Sequence, residues 1–169
     1  MKISQKGLYA LQALMMLARN RRQGTVRIRD IAYEENLPEK FLEMILLELR
    51  NAHIVESIRG AKGGYELRRE PADLRLGEVI RLIDGPLAPF GDANHMRQLI
   101  RRDDVNHWGL YQVFLKLRDA AAQILDNTTL ADLMAKDALS GGNSYLPVRK
   151  AEKQSPDILP IAAGGRRND

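Results

Sequence analysis

Basic side chains flank a run of glycines in the segment 59–64. β-prone stretches lie on both sides of this segment, at 54–58 and 65–68, and the segment itself reads Arg59-Gly60-Ala61-Lys62-Gly63-Gly64. Two such stretches around a glycine-rich turn predict a β-hairpin with Arg59 and Lys62 at or near its tip. Arg59 beside Gly60 is suited to insertion into a narrow groove of DNA, because glycine permits close approach of the backbone.

A nucleotide-binding loop is the other chemistry that a glycine-rich tip can support. Phosphate-binding loops follow their glycines with lysine and then serine or threonine, and this segment does not. Gly63 and Gly64 are therefore interpreted as turn formers. Tyr65, which follows them, contacts DNA or packs beneath the hairpin, and the sequence leaves both interpretations open.

Two short amphipathic helices are predicted before the hairpin, at 27–35 and 39–51, with Pro38 in the first turn of the second. Helices separated by such a short break are typical of a helix-turn-helix, and a following hairpin makes it winged. Lysine and arginine bind phosphates or guanine edges, and glutamate accepts a hydrogen bond from cytosine N4. The residues of the second helix that project from its apolar face and could do this are Glu39, Lys40, Glu43 and Arg50.

The start of the chain predicts a helix from Ser4 to Arg19 with Ser4 as its N-cap. Free backbone N–H groups at a helix start favour a phosphate. The side chains that could assist there are Lys2, Ser4, Lys6 and Tyr9. Each charged residue, taken alone, has the alternative interpretation of a solvated surface group.

Charge and composition exclude several classes of protein. Residues 1–75 hold 14 Lys and Arg against 10 Asp and Glu, whereas residues 76–169 hold 12 of each, so the whole net charge of +4 lies in the first half. The absence of cysteine excludes disulfides, thiol catalysis and thiolate metal sites. The order of serine, histidine and acidic residues does not indicate an enzyme. Without a long apolar stretch or a signal peptide, we expect a cytoplasmic protein that does not contact the membrane.

The second half predicts helices separated by a long polar loop. A helix at 77–83 ends at Asp84-Gly85-Pro86, a long helix at 107–125 carries one apolar face, and a last helix, capped by Thr128 or Thr129, reaches about residue 136. The expected fold class is mainly α with a small β-hairpin wing. We predict a DNA-binding domain at 1–86, a loop region at 87–106, the long helix and short terminal helix at 107–137, and a flexible tail at 138–169.

The sequence resembles the Rrf2 family of winged helix-turn-helix bacterial transcriptional regulators over roughly residues 1–135. The segments that carry the resemblance are Met1 to Leu11, Phe41-Leu42-Glu43, Arg59 to Tyr65, Leu76 to Ile80, Asp84 to Leu87 and Asn127 to Leu133. The resemblance implies a homodimer that reads a palindromic site on double-stranded DNA. By position, it implies that Lys40 and Glu43 face bases, Arg59 enters the minor groove, and Ser4, Lys6 and Tyr9 anchor phosphates. It also implies dimerisation through the long helix, by Leu110, Val113, Phe114, Leu117, Ala121 and Ile124.

The chain departs from this family at the loop region. Members that bind an iron–sulfur cluster carry three cysteines there, and Trp108 stands where the last is usual. We therefore expect no cluster, no other cofactor and no bound metal, although the alternative ligands His95, His107, Asp92 and Asp103 are present. The expected function is DNA-binding regulation, as a repressor, with a small-molecule effector or a regulatory protein partner as the signal. The alternative is a protein-interaction module on the same dimeric scaffold.

Overall fold

The computed structural model describes residues 3–60, 62–86, 97–98 and 107–139. Nearly all of the predicted loop region 87–106 therefore lies outside the described residues, as do Lys2 and the predicted tail from residue 140 onward. The domain limits given above remain predictions.

Six α-helices and one antiparallel hairpin are present in the described ranges. Val55 pairs with Leu67 and Ile58 with Gly64 across the hairpin. The elements are α1 (Gln5–Arg19), α2 (Ile28–Glu34), α3 (Glu39–Asn51), β1 (Val55–Ile58), β2 (Gly64–Leu67), a 3-10 turn (Pro71–Asp73), α4 (Leu76–Asp84), α5 (Trp108–Asn127) and α6 (Leu130–Leu139). This arrangement confirms the expected fold class.

The core lies between α1 and α3, with the hairpin closing one side. The buried residues of α3 recur every three or four positions, so one stripe of the helix faces α1, as helical geometry requires. Burying each large apolar side chain contributes about 1.5–3 kcal/mol. The fully buried large residues of the two helices are Leu14, Leu17, Leu42, Ile45, Leu46 and Leu49.

Local signals place the helix starts. Ser4 caps α1, because its hydroxyl accepts from the backbone N–H of Gly7 at 3.0 Å. Pro38 is the N-cap of α3 and so lies one position before the predicted first turn; its carbonyl accepts from the N–H groups of Phe41 and Leu42 at 3.0 Å each. Thr129 precedes α6 and shares two reciprocal hydrogen bonds with Asp132, as in a capping box.

The last two helices differ in how they join the rest. On α6, Leu130 is fully buried, and Asp137 accepts a hydrogen bond from Arg19 of α1 at 2.6 Å. By contrast, α5 has no buried residue along its 20 positions. No helix in the described ranges is long and apolar enough to cross a bilayer.

Candidate nucleic-acid interface

The outer face of α3 is exposed along its whole length. Its four predicted DNA-binding residues, Glu39, Lys40, Glu43 and Arg50, all lie on the solvent side. Within the described part of the chain, none of the four has an ion-pair partner. A ligand can therefore reach these four charged groups without breaking an ion pair to any described residue.

The hairpin is fastened to the helical body through the segment before α2. The N–H of Val26 donates to the carbonyl of Tyr65 at 2.9 Å, and the N–H of Tyr65 donates to the carbonyl of Val26 at 2.8 Å. Glycine is required at position 64, because a Cβ there would lie 2.6 Å from the carbonyl oxygen of Val26. The hairpin thus projects from the body in a set direction as a wing beside α3.

The tip of the wing carries the basic residues predicted for it. Arg59, Gly60 and Lys62 are exposed, and Gly60 has a φ of 108°, a backbone conformation that favours glycine. The Thr25 hydroxyl donates to the carbonyl of Lys62 at 2.6 Å and so fixes the base of the turn. Tyr65 is half-buried and packs against the core, which supports the packing interpretation of that residue.

The predicted phosphate anchors on α1 all make intramolecular contacts. The hydroxyl of Ser4 donates to one carboxylate oxygen of Asp84 at 2.5 Å, and its N–H donates to the other at 2.9 Å. The ammonium group of Lys6 donates to both carboxylate oxygens of Glu48 on α3, at 2.7 and 2.8 Å. The ring of Tyr9 meets Phe41 edge to face, with 5.9 Å between centroids.

These contacts join α1 to α3 and α4, and sequence reasoning did not find the two carboxylates involved. Asp84 lies 80 positions from Ser4, and Glu48 lies 42 positions from Lys6. Local spacing carries no signal for pairs so far apart. The carboxylate of Asp84 holds the place near the α1 start where a phosphate was expected.

The apolar face predicted for α5 is divided into two. Phe114 and Ala121 are half-buried. The other predicted dimerisation residues, Leu110, Val113, Leu117 and Ile124, are between 51% and 66% exposed. These four residues follow the alternating three- and four-residue spacing of a coiled-coil seam, with Ala120 completing the pattern. We call them the α5 seam.

Polar contacts attach α5 to α4. The guanidinium of Arg81 pairs with the carboxylate of Asp126, and Arg75 donates to the backbone carbonyl of Asp126 at 2.6 Å. The N–H of Leu76 donates to the carbonyl of Thr128 at 3.0 Å. One side of α5 is therefore held by its own chain, while the seam remains uncovered within the described residues.

Comparison with known proteins decides the family. The family model described as "Iron-dependent Transcriptional regulator", Rrf2, matches residues 3–136. The chain belongs to the Rrf2 family. Like the Rrf2 relatives named below, it is a DNA-binding, winged-helix transcriptional regulator and not an enzyme.

Rrf2 relatives span most of the chain. The regulator CymR of Bacillus subtilis is 38% identical over 133 residues, covering 79% of this chain and 89% of CymR. The regulator IscR of Salmonella agona is 34% identical over 164 residues, covering 95% of this chain and 98% of IscR. The solved structure of B. subtilis CymR, the global cysteine regulator, superposes with a TM-score of 0.67 at 36% identity, covering 80% of this chain and 98% of CymR.

The Rrf2 family description names iron, but the residues of this chain do not fit an iron–sulfur cluster. Such clusters depend on thiolate ligands, and the 169 residues contain no cysteine. Among the described residues, no group of three histidine or acidic side chains is placed to hold a metal ion. His95, Asp92 and Asp103 lie outside those residues.

Proposed function

We propose that this Rrf2 regulator is a cytoplasmic repressor that binds a palindromic operator as a homodimer. The observation that carries the proposal is a row of exposed charges on α3, with no ion-pair partner among the described residues, beside a basic wing; these charges are Glu39, Lys40, Glu43 and Arg50. In the major groove, Lys40 and Arg50 donate to phosphates or guanine edges, and Glu39 and Glu43 accept from cytosine N4. On the wing, Arg59 and Gly60 enter the minor groove, and Lys62 contacts the adjacent phosphates.

The uncovered α5 seam supports the dimer. A two-fold axis between the two α5 helices relates the two chains, so the dimer presents two recognition helices and two wings to one duplex. This symmetry is the same as that of a palindromic site. Leu110, Val113, Leu117 and Ile124 pack on the partner's seam, and Phe114 and Ala121 support them from the side facing the chain's own body.

Phosphate contacts at the start of α1 complete the interface. Ser4, Lys6 and Tyr9 lie in or next to the first turn of α1, where backbone N–H groups favour an anion. Lys2, outside the described residues, is proposed to contact the same phosphates. On DNA, the ammonium group of Lys6 exchanges the carboxylate of Glu48 for a phosphate, whereas Ser4 and Tyr9 position the turn through Asp84 and Phe41.

The signal reaches this dimer without a cluster. The loop region 87–106 directly follows Asp84-Gly85-Pro86, so a small-molecule effector or a regulatory protein bound there acts on the residue that holds Ser4. The name of a similar protein, the global cysteine regulator of B. subtilis, makes sulfur metabolites a first class of effector to screen.

Binding to selected DNA tests the function. Duplexes are selected from a random pool with the full chain, and the affinity for the enriched duplex and for random duplex is measured at several salt concentrations. We expect tighter binding to the enriched duplex, with an affinity that falls steeply as salt rises. Arg59→Ala is expected to weaken that binding by roughly 5- to 150-fold. Arg22→Ala, an exposed arginine beyond the far end of α1, is the matched control and leaves it unchanged.

The second candidate function is a protein-interaction module on the same dimer. The uncovered α5 seam favours it, because an apolar helix face also receives partner proteins. Equal affinity for enriched and random duplex, together with an unchanged DNA affinity in the Arg59→Ala variant, would favour this function over sequence-specific DNA binding.

A further inference from the structure

The outer face of α3 exposes two apolar side chains among its charges. Met44 is 50% exposed and Leu47 is 45% exposed, although both lie in the middle of the helix. Four other residues of α3 already fill its core stripe. Met44 and Leu47 are therefore surplus to the packing of the domain, and neighbouring apolar side chains on the exposed face of a helix are suited to contact a ligand or a partner.

Helical geometry places these residues at the centre of the face opposite the core. At about 100° per residue, Lys40, Met44, Leu47 and Asn51 fall within a narrow sector, and Leu42 and Leu49 lie on the other side of the helix. Glu43 lies at the edge of the same sector. The side chains that project furthest from the domain are thus a cation followed by two apolar groups.

The charge around this sector favours DNA as the occupant. The basic excess of the chain lies entirely in residues 1–75; within it, Arg50 is exposed on α3, and Arg59 and Lys62 are exposed at the tip of the wing. The major groove presents one apolar group to such a helix, the 5-methyl group of thymine. Methionine, with its flexible and polarisable thioether, adapts to such a contact.

We propose that Met44 and Leu47 read thymine methyl groups in the major groove of each operator half-site. This inference rests on the proposed function and assigns part of its sequence specificity to two uncharged residues. Three residues of helix rise by about 4.5 Å, and base pairs are stacked about 3.4 Å apart, so the two methyl contacts fall one or two base-pair steps from each other.

Replacing thymine by deoxyuridine tests the proposal, because it removes the methyl group and leaves base pairing unchanged. The probe is the enriched duplex, with deoxyuridine placed at one half-site thymine at a time. For the unaltered protein we expect about fourfold weaker binding at each of two neighbouring thymines, the value of one buried methyl group. In Met44→Ala this penalty disappears at one of these thymines, and in Leu47→Ala at the other.

A control variant and one further readout, thermal unfolding, keep the result interpretable. Leu139→Ala truncates a leucine that is even more exposed, at the end of α6, and is expected to keep both penalties. The thermal unfolding of Met44→Ala and Leu47→Ala should match that of the unaltered protein, because neither side chain belongs to the core.

Several outcomes would overturn the proposal. Deoxyuridine could leave binding unchanged at every position, or both variants could weaken thymine and deoxyuridine duplexes by the same factor. A lowered oligomer mass for either variant would assign the face to a second copy of the chain. A pool that yields no enriched duplex would instead refute the proposed function, and this inference with it.

Discussion

The helical body at residues 3–86 and the helix α5 use apolar residues in opposite ways. In the body, one apolar stripe of α1 and one of α3 pack together, and six large side chains in them are fully buried. In α5, a 20-residue helix, none is buried, and the four seam residues are more than half exposed. We therefore expect the body to be stable within one chain, whereas under the proposed dimer the stability of α5 depends on association and so on protein concentration.

The largest expected effect is a core truncation in the body. Leu46→Ala removes a side chain with no exposed surface and is expected to lower the free energy of unfolding by about 2–5 kcal/mol. Thermal or denaturant unfolding measures this change. Leu47→Ala, at the next position of α3, is the matched control, and its effect stays within about 0.5 kcal/mol. Equal effects of the two substitutions would mean that α3 does not pack as described.

A charge in the α5 seam is expected to break association and spare the body. Leu117→Glu places a carboxylate where two seams meet, and leaving it unpaired in an apolar interface should weaken the dimer by at least about tenfold. Analytical ultracentrifugation reports the mass, and Leu117→Met, which keeps the apolar surface, should leave it unchanged. A Leu117→Glu chain that remains dimeric at all concentrations would place the interface elsewhere.

A methyl group at position 64 tests how firmly the body holds its wing. Gly64→Ala forces a Cβ against the carbonyl of Val26, and such overpacking costs about 1–3 kcal/mol. DNA affinity should fall as well, because the wing must turn. Gly109→Ala near the start of α5 is the control, since a Cβ there meets no atom within 4 Å. Similar unfolding curves for the two variants would contradict the close contact between the wing and the body.

The smallest effect concerns Glu35, which lies just after α2. Burial raises the pKa of Glu35 from its ordinary value of 4.5. The positive charge of Arg19 acts in the opposite direction, and the negative charges of Glu34 and Asp137 raise the pKa further. Because the pKa of Glu35 is higher in the folded chain than in the unfolded chain, its contribution to the free energy of unfolding is complete below pH 4.5. This contribution is lost as the pH rises through the pKa of the folded chain.

Glu35→Gln tests this pH dependence, because glutamine stays neutral throughout. Relative to the unaltered protein, the variant should gain in free energy of unfolding as the pH rises from 4.5 towards neutrality. Urea unfolding at a series of pH values provides the measurement. A constant difference between the two proteins would show that Glu35 titrates alike in the folded and unfolded chains.

The sequence predicted the helices well where local signals are strong. Apolar residues spaced every three or four positions located α3, and Ser4 marked the start of α1. For α6 the sequence left Thr128 and Thr129 open as caps, and the structure has Thr129. The long helix ends two residues later than predicted, at Asn127. The hairpin was also predictable, because its signals, glycines between two β-prone stretches, lie within a few positions of each other.

Contacts between distant segments were beyond such reasoning. The pairing of Ser4 with Asp84 depends on how α4 packs against α1, and nothing in the spacing of the sequence encodes that packing. The division of α5 into a half-buried side and an exposed seam likewise depends on where α4 lies. A helical wheel shows the apolar face but not which part of it the chain itself covers.

The central claim is that two chains, joined by the α5 seam, read one palindromic duplex. Sedimentation equilibrium of the full chain with the enriched duplex tests this claim most directly. The account predicts a complex of two chains per duplex, and a duplex cut to a single half-site should bind more weakly. A tight complex of one chain per duplex, or equal binding to the half-site and the full site, would contradict it.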